Sequence, residues 1–224
     1  MRRFSILISV LALIALDMAF IPAGVAAQAT PDAGKDRAVP ADECQVEPRA
    51  VDEVFALLGL MEEAEGGAPA ARTPVPAPPW TAADKETAAA AEATAREWLA
   101  CINADDNLRI AALMSDAALT RFFASALGAA EAIEAARANL AGTPVPRSEE
   151  EHAQLVAVSD VSRLDDGRIA ALVVVKEPAL RPSGQETLLL IFTPVGDRLL
   201  IDDLIQFSAV PRPAGTPDAG TPQP

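Results

Sequence analysis

The side chains that carry most acid–base and metal chemistry are scarce in this chain of 224 residues. It has one His, two Cys and no Tyr. A Tyr oxyanion donor is excluded, and so is any site that needs two His. A Ser-His-Asp arrangement would have to use His152. No GxSxG, Walker or Rossmann glycine pattern is present. The remaining acid–base candidates are carboxylates. Asp202 and Asp203 are consecutive in an apolar run, so a regular strand would place them on opposite faces with one turned inward. An inward Asp beside Trp98, Phe122 or Phe192 would have a raised pKa and could act as a general base. His152 and Asp160 share one parity of an earlier strand and are the other catalytic candidates. The plainer reading makes Asp202 or Asp203 a surface cap or ion-pair partner, and His152 an exposed residue at a strand start.

Cys44 and Cys101 are too far apart for a CxxC redox motif. In an oxidising compartment two Cys most simply form one disulfide. It would close a loop of roughly 57 residues, worth about 4 kcal/mol in the chain-entropy description. With a single His, a zinc site of Cys and His ligands lacks donors. Neither a metal nor a cofactor is expected.

Four strands must position these groups. Gln154 to Leu164 is the first, and Asp165-Asp166-Gly167 turns the chain. Arg168 to Lys176 is the second, rich in β-branched residues. A longer loop through Pro178 and Arg181-Pro182-Ser183-Gly184 leads to the third, Thr187 to Thr193. Val195-Gly196-Asp197-Arg198 turns into the fourth, Leu199 to Phe207. Leu188-Leu189-Leu190-Ile191-Phe192 is apolar on both parities, so this sheet needs cover on both faces. Helices of the domain can cover one. The other requires another part of the chain or a second copy.

The rest of the chain divides by composition. Residues 1–27 read as a secretory signal, with Arg2-Arg3, an apolar stretch from Phe4 to Leu16 and small residues Val25-Ala26-Ala27. Asp17 and Pro22 argue against a membrane helix. Residues 28–47 read as a flexible N-terminal segment, with Thr30 to Val39 disordered. Residues 48–65 hold a short satellite helix with Val51, Val54, Phe55 and Leu58 on one face. Residues 66–80 are a Pro-rich linker. The domain spans 81–208. It opens with a capping box at Thr81-Ala82-Ala83-Asp84 and a long helix to Asn103, with Ala91, Ala95, Trp98, Leu99 and Ile102 on one stripe. Asp105 or Asp106 caps a second helix. Ala118 to Phe123 reads as a short extended segment, and Ala129 to Leu140 as a third helix. Residues 209–224 form a disordered tail.

Lys and Arg total 18 against 32 Asp and Glu, a net charge of −14. Removing residues 1–27 would take away Arg2, Arg3 and Asp17 and leave the remainder still more acidic. Such a chain is poorly suited to nucleic acid or to an anionic lipid surface.

Three helices followed by an antiparallel meander resemble the nuclear transport factor 2-like superfamily, and its SnoaL-like branch in particular. The resemblance rests on Arg96-Glu97-Trp98-Leu99-Ala100-Cys101-Ile102-Asn103-Ala104-Asp105-Asp106, on Ala111-Ala112-Leu113-Met114-Ser115-Asp116-Ala117-Ala118-Leu119, and on Arg198-Leu199-Leu200-Ile201-Asp202-Asp203-Leu204. It covers roughly residues 81–208, and Glu43 to Arg49 adds the look of an exported bacterial member. The resemblance implies an α+β cone, with three N-terminal helices packed on a curved antiparallel sheet of four main strands around a pocket. It also implies homodimers through the outer sheet face. The superfamily includes isomerases, cyclases and hydrolases as well as non-enzymes, so fold alone decides little. The expectation is an exported, non-enzymatic domain. It would bind a small apolar ligand in a pocket lined by Trp98, Phe122, Phe123, Phe192 and Phe207, or a protein partner through the outer sheet face. The alternative is a SnoaL-like enzyme with an inward Asp as general base.

Overall fold

The computed structural model describes residues 37–63, 75, 80–126, 130–178 and 184–207. The expected signal sequence, most of the expected Pro-rich linker and the expected C-terminal tail lie outside them. The architecture is α+β, with helices packed against an antiparallel sheet. Strand β1 is Arg37–Ala38, helix α1 is Val51–Glu63 and strand β2 is Thr81–Ala82. Helices α2 (Lys85–Asn103), α3 (Asn107–Ala112), α4 (Asp116–Ala126) and α5 (Ala130–Leu140) follow. Strands β3 (Gln154–Arg163), β4 (Ile169–Lys176), β5 (Gln185–Val195) and β6 (Arg198–Phe207) complete the chain.

The four expected strands form the body of the sheet, in sequence order, and two short strands join them. The order is β1-β3-β4-β5-β6, with β2 also paired to β3. β1 sits at one end of β3 (Arg37↔Leu155) and β2 at the other (Thr81↔Arg163). Gly167 and Gly196 take positive φ, 86° and 63°, in the turns before β4 and β6, where a side chain would be strained. β4 and β5 pair without interruption from Ile169↔Phe192 to Lys176↔Gln185.

Alternation along these strands defines two apolar faces. On the helix side, Ile169, Ala171, Val173, Leu188, Leu190 and Phe192 pack with Ala91, Ala95 and Leu99 of α2. On the outer side, Ala170, Leu189 and Ile191 form a second cluster with Leu164. Val75 and Trp80 pack on that outer cluster. Part of the expected linker is therefore placed on the sheet. The satellite helix is elsewhere: Val54 of α1 joins Ala111, Leu119 and Leu140 in a third cluster among α3, α4 and α5.

Three sequence expectations are corrected. Ala118 to Phe123 is helical, within α4, so among the described residues from 81 onward there are four α-helices where three were expected. Adjacent Phe and Thr favour strands locally, but Ser115 caps a helix here: Ala118 N donates to Ser115 Oγ at 3.1 Å. The α2 cap is Asp84, which accepts from Thr87 N at 2.7 Å, because Thr81 and Ala82 are drawn into pairing with β3. The segment expected to be flexible is docked from Arg37 onward. Val39 is 0% exposed, and Cys44 and Val46 lie in the main core.

Candidate functional site

Asp202 and Asp203 are both buried, and the backbone explains the direction each takes. Ile201 pairs with Phe192 and Asp203 with Ile191, so Asp202 is the extra residue of a β-bulge. The bulge interrupts the alternation that would have put Asp202 and Asp203 on opposite faces. Asp203 sits in register with Ile191, an outer-face residue, and its Oδ1 accepts from Leu204 N at 2.9 Å. Asp202 reaches Arg168, which precedes β4 on the outer-face parity, and two residues beside β6.

Ser115 Oγ donates to Asp202 Oδ1 at 2.8 Å and Arg168 Nη1 to Oδ2 at 3.2 Å. Arg121 donates to the Asp202 carbonyl, with its Nη2 3.9 Å from Oδ1. Ser115 is itself fixed by main-chain bonds: Ser115 N donates to Ile201 O at 2.9 Å and Ile201 N to Leu113 O at 2.8 Å. Arg168 also donates to Asp166, Nε to Oδ2 at 2.9 Å. That hydrogen bond holds the Asp166 carboxyl below its ordinary value and raises the Arg168 guanidinium. Both Asp202 and Arg168 are more than nine-tenths buried. Two carboxylates and two guanidiniums balance, which is what a buried ionic network requires. Chemically, this arrangement makes Asp202 an acceptor with both oxygens engaged.

His152 follows a one-turn helix at Glu149–Glu151 and precedes β3, rather than lying within it. It is buried, not exposed, and its Nε2 lies 3.2 Å from the Arg147 carbonyl oxygen. Asp160 is exposed in an irregular stretch of β3, at φ 51°, and accepts from Ser159 Oγ at 3.1 Å. The four candidates are thus dispersed over the two ends of β3 and the bulge of β6.

The aromatic candidates are also divided. Phe192 is 0% exposed in the main core, where Trp98 packs partly buried against the same cluster. Phe122 belongs to the α1–α3–α5 cluster. The side chains of Phe123 and Phe207 lie outside the described residues. A shallow groove of about 280 Å³ lies on another surface, lined by Glu43, Gln45, Ala93, Arg96 and Glu97. Two of these residues form an ion pair, Arg96 to both Glu43 oxygens at 2.5 and 2.8 Å.

Cys44 and Cys101 form the expected disulfide. It ties the N-terminal segment to the last turns of α2, where a residue overlooked in the sequence completes the fastening. Asn103 is 0% exposed. Its Nδ2 donates to Val39 O at 2.7 Å and Ala153 O at 3.1 Å, and its Oδ1 accepts from Ala153 N at 2.7 Å. The available signal was a polar residue continuing the buried Ala95, Leu99 row of α2 at four-residue spacing. Two residues on, Asp105 takes φ 53° and burial pushes its carboxyl up, opposed by Arg147. Arg147 in turn pairs with Glu177 at 3.1 Å.

Among the described residues no group of three or more His, Cys, Asp or Glu could hold a metal ion, and no helix is long and apolar enough to cross a membrane. No protein-family model matches the chain, nor does any curated protein or solved structure.

Proposed function

We propose that the chain is an exported, non-enzymatic binding domain of the nuclear transport factor 2-like kind, recognising a protein partner through its surface. The observation that carries this reading is the engagement of Asp202. Both of its oxygens are bonded, to Ser115 and Arg168, and Arg121 lies against it. A general base needs an oxygen within hydrogen-bond reach of substrate, and these bonds tether both Asp202 oxygens to the protein's own donors. The packing of Phe192 and Trp98 in the main core favours a protein partner over a small apolar ligand. The disulfide supports export, since such bonds persist in oxidising compartments.

Two measurements test this. Asp202→Asn should lower stability by about 3 kcal/mol, as expected when one member of a buried ion pair is neutralised; an unchanged urea midpoint would refute a structural Asp202. Native mass spectrometry of the freshly purified chain should give the polypeptide alone. A stoichiometric apolar molecule released on denaturation would restore the carrier reading.

One observation favours the enzyme alternative, at a different residue from those expected. Asp105 combines a strained positive φ with a carboxyl raised by burial, a pairing common at functional sites. Loss of a measured turnover in Asp105→Asn, with the fold intact by circular dichroism, would establish that role.

A further inference from the structure

Six of the eleven Thr in this chain stand directly before a Pro, although Pro fills 19 of 224 positions, so the pairing exceeds what composition accounts for. Thr paired with Pro is the composition of O-glycosylated stalks. Two of the six, Thr143 and Thr193, lie among the described residues, and the fold treats them in opposite ways.

Thr143 belongs to the connection from α5 to the one-turn helix at Glu149–Glu151. Thr143 to Ser148 take no helix, strand or turn, and Thr143, Pro144, Val145 and Pro146 are all exposed. Val145 is 69% exposed, an apolar side chain left in water. The stretch is held at both ends: Gly142 N donates to Asn139 O at 3.2 Å and Arg147 N to Asn103 O at 2.9 Å. Between these bonds, residues 143–146 make no main-chain hydrogen bond to the described residues. Pro144 and Pro146 fix φ near −65° and bias Thr143 and Val145 toward extended conformations. The segment already has the straight, unpaired form that a peptide-binding groove accepts, with no ladder to break.

The Thr143 hydroxyl is also uncommitted. Ser115, Thr120, Ser148, Ser159 and Ser162 each donate theirs within the fold. Thr143 has no such partner among the described residues. Thr193 lies inside β5, paired with Leu200 of β6, and could not enter a groove without leaving the sheet.

We infer that Thr143 is an O-glycosylation site, which takes a hexose from a phosphate-activated sugar donor. The inference rests on the export reading above and not on the partner reading. Thr143 Oγ1 forms a bond to the anomeric carbon, the bond from that carbon to the phosphate oxygen breaks, and the phosphate leaves with the electron pair. The hydroxyl proton passes to the base of the transferase. The sugar then stands two residues from Val145, beside the most exposed large apolar side chain among the described residues.

The test uses the chain purified from the organism that makes it, fractionated into cell interior, envelope and medium. Intact mass is measured, and electron-transfer fragmentation locates each modification. Thr143 should carry at least one hexose and Thr193 none. Thr143→Ala should remove that mass and leave the melting temperature unchanged, since the side chain is exposed. A bare Thr143 on an exported chain shortened at the expected cleavage point would overturn the inference and leave the export reading standing. A chain kept in the cell interior with residues 1–27 attached would overturn both. Equal hexose on Thr143 and Thr193 would overturn the structural basis of the assignment, and phosphate on Thr143 would give the site to a kinase instead.

Discussion

Asn103 shows how one buried side chain can substitute for secondary structure. The Val39 and Ala153 main chains meet where β1 ends and β3 has yet to begin, so no ladder satisfies all their polar groups. The Asn103 amide supplies two donors and one acceptor. Asn103→Ala should cost about 3 kcal/mol in urea unfolding, because it strands buried main-chain groups without partners. Asn103→Asp should fare no better, since a carboxylate cannot donate. Asp105 predicts the opposite sign. Its folded pKa lies above the ordinary Asp value of 3.8. The folded state therefore binds the proton more readily, and stability falls as pH rises from that value through the raised one. Asp105→Asn removes the partly buried charge and suits positive φ better. It should raise the melting temperature at neutral pH by about 3 °C, and the gain should vanish below the ordinary Asp pKa. Neither residue could be assigned from the sequence alone. Asn103 finds its partners 64 and 50 positions away, and Asp105 reads as one of two equivalent caps until the backbone places Asp106 at the start of α3.

At the level of elements, β-branched runs punctuated by Gly made β3 to β6 legible, because local turn chemistry and the two-residue repeat agree there. The bulge at Asp202 was not legible. It arises where residues 113–115 lie against β6, a contact between distant segments. The same segment decides α4. Ser115 serves Ala118 N and Asp202 at once, so Ser115→Ala should cost about 1–2 kcal/mol in chemical denaturation. Ser115→Thr, which keeps the hydroxyl, should recover most of that loss. The misreading of 118–123 as extended has the same origin. The Phe pair suggests a strand, and the cap that overrides it is a single Ser.

Over the whole molecule, the pairing of Cys44 with Cys101 was legible from arithmetic, whereas its companions were not. Around it the N-terminal segment is fastened by Asn103, by Arg96 to Glu43, and by Arg109 Nη1 to the Cys44 carbonyl at 3.0 Å. Replacing both Cys with Ala should therefore lower stability by about 2–4 kcal/mol, as loop-closure entropy predicts, without detaching the segment. Hydrogen exchange at Val39 would check that: its amide, bonded to Ala153 O at 3.2 Å, should remain protected in the double variant. Full exchange at the rate of an unfolded peptide would mean that the covalent bond alone holds the segment.

β1 and its neighbours also have a place in time. Synthesis runs from the N-terminus, so Arg37 to Val46 emerge before every element they will touch. Their partners on β3 are made after helices α1 to α5, which leaves Val39, Cys44 and Val46 waiting with apolar surface uncovered. Cys101 and Asn103 share one helical turn, so joining Cys44 to Cys101 would bring Val39 to the rim of the unfinished core before β3 exists. The bond that secures the finished fold would thus also keep its earliest segment in reach of its latest.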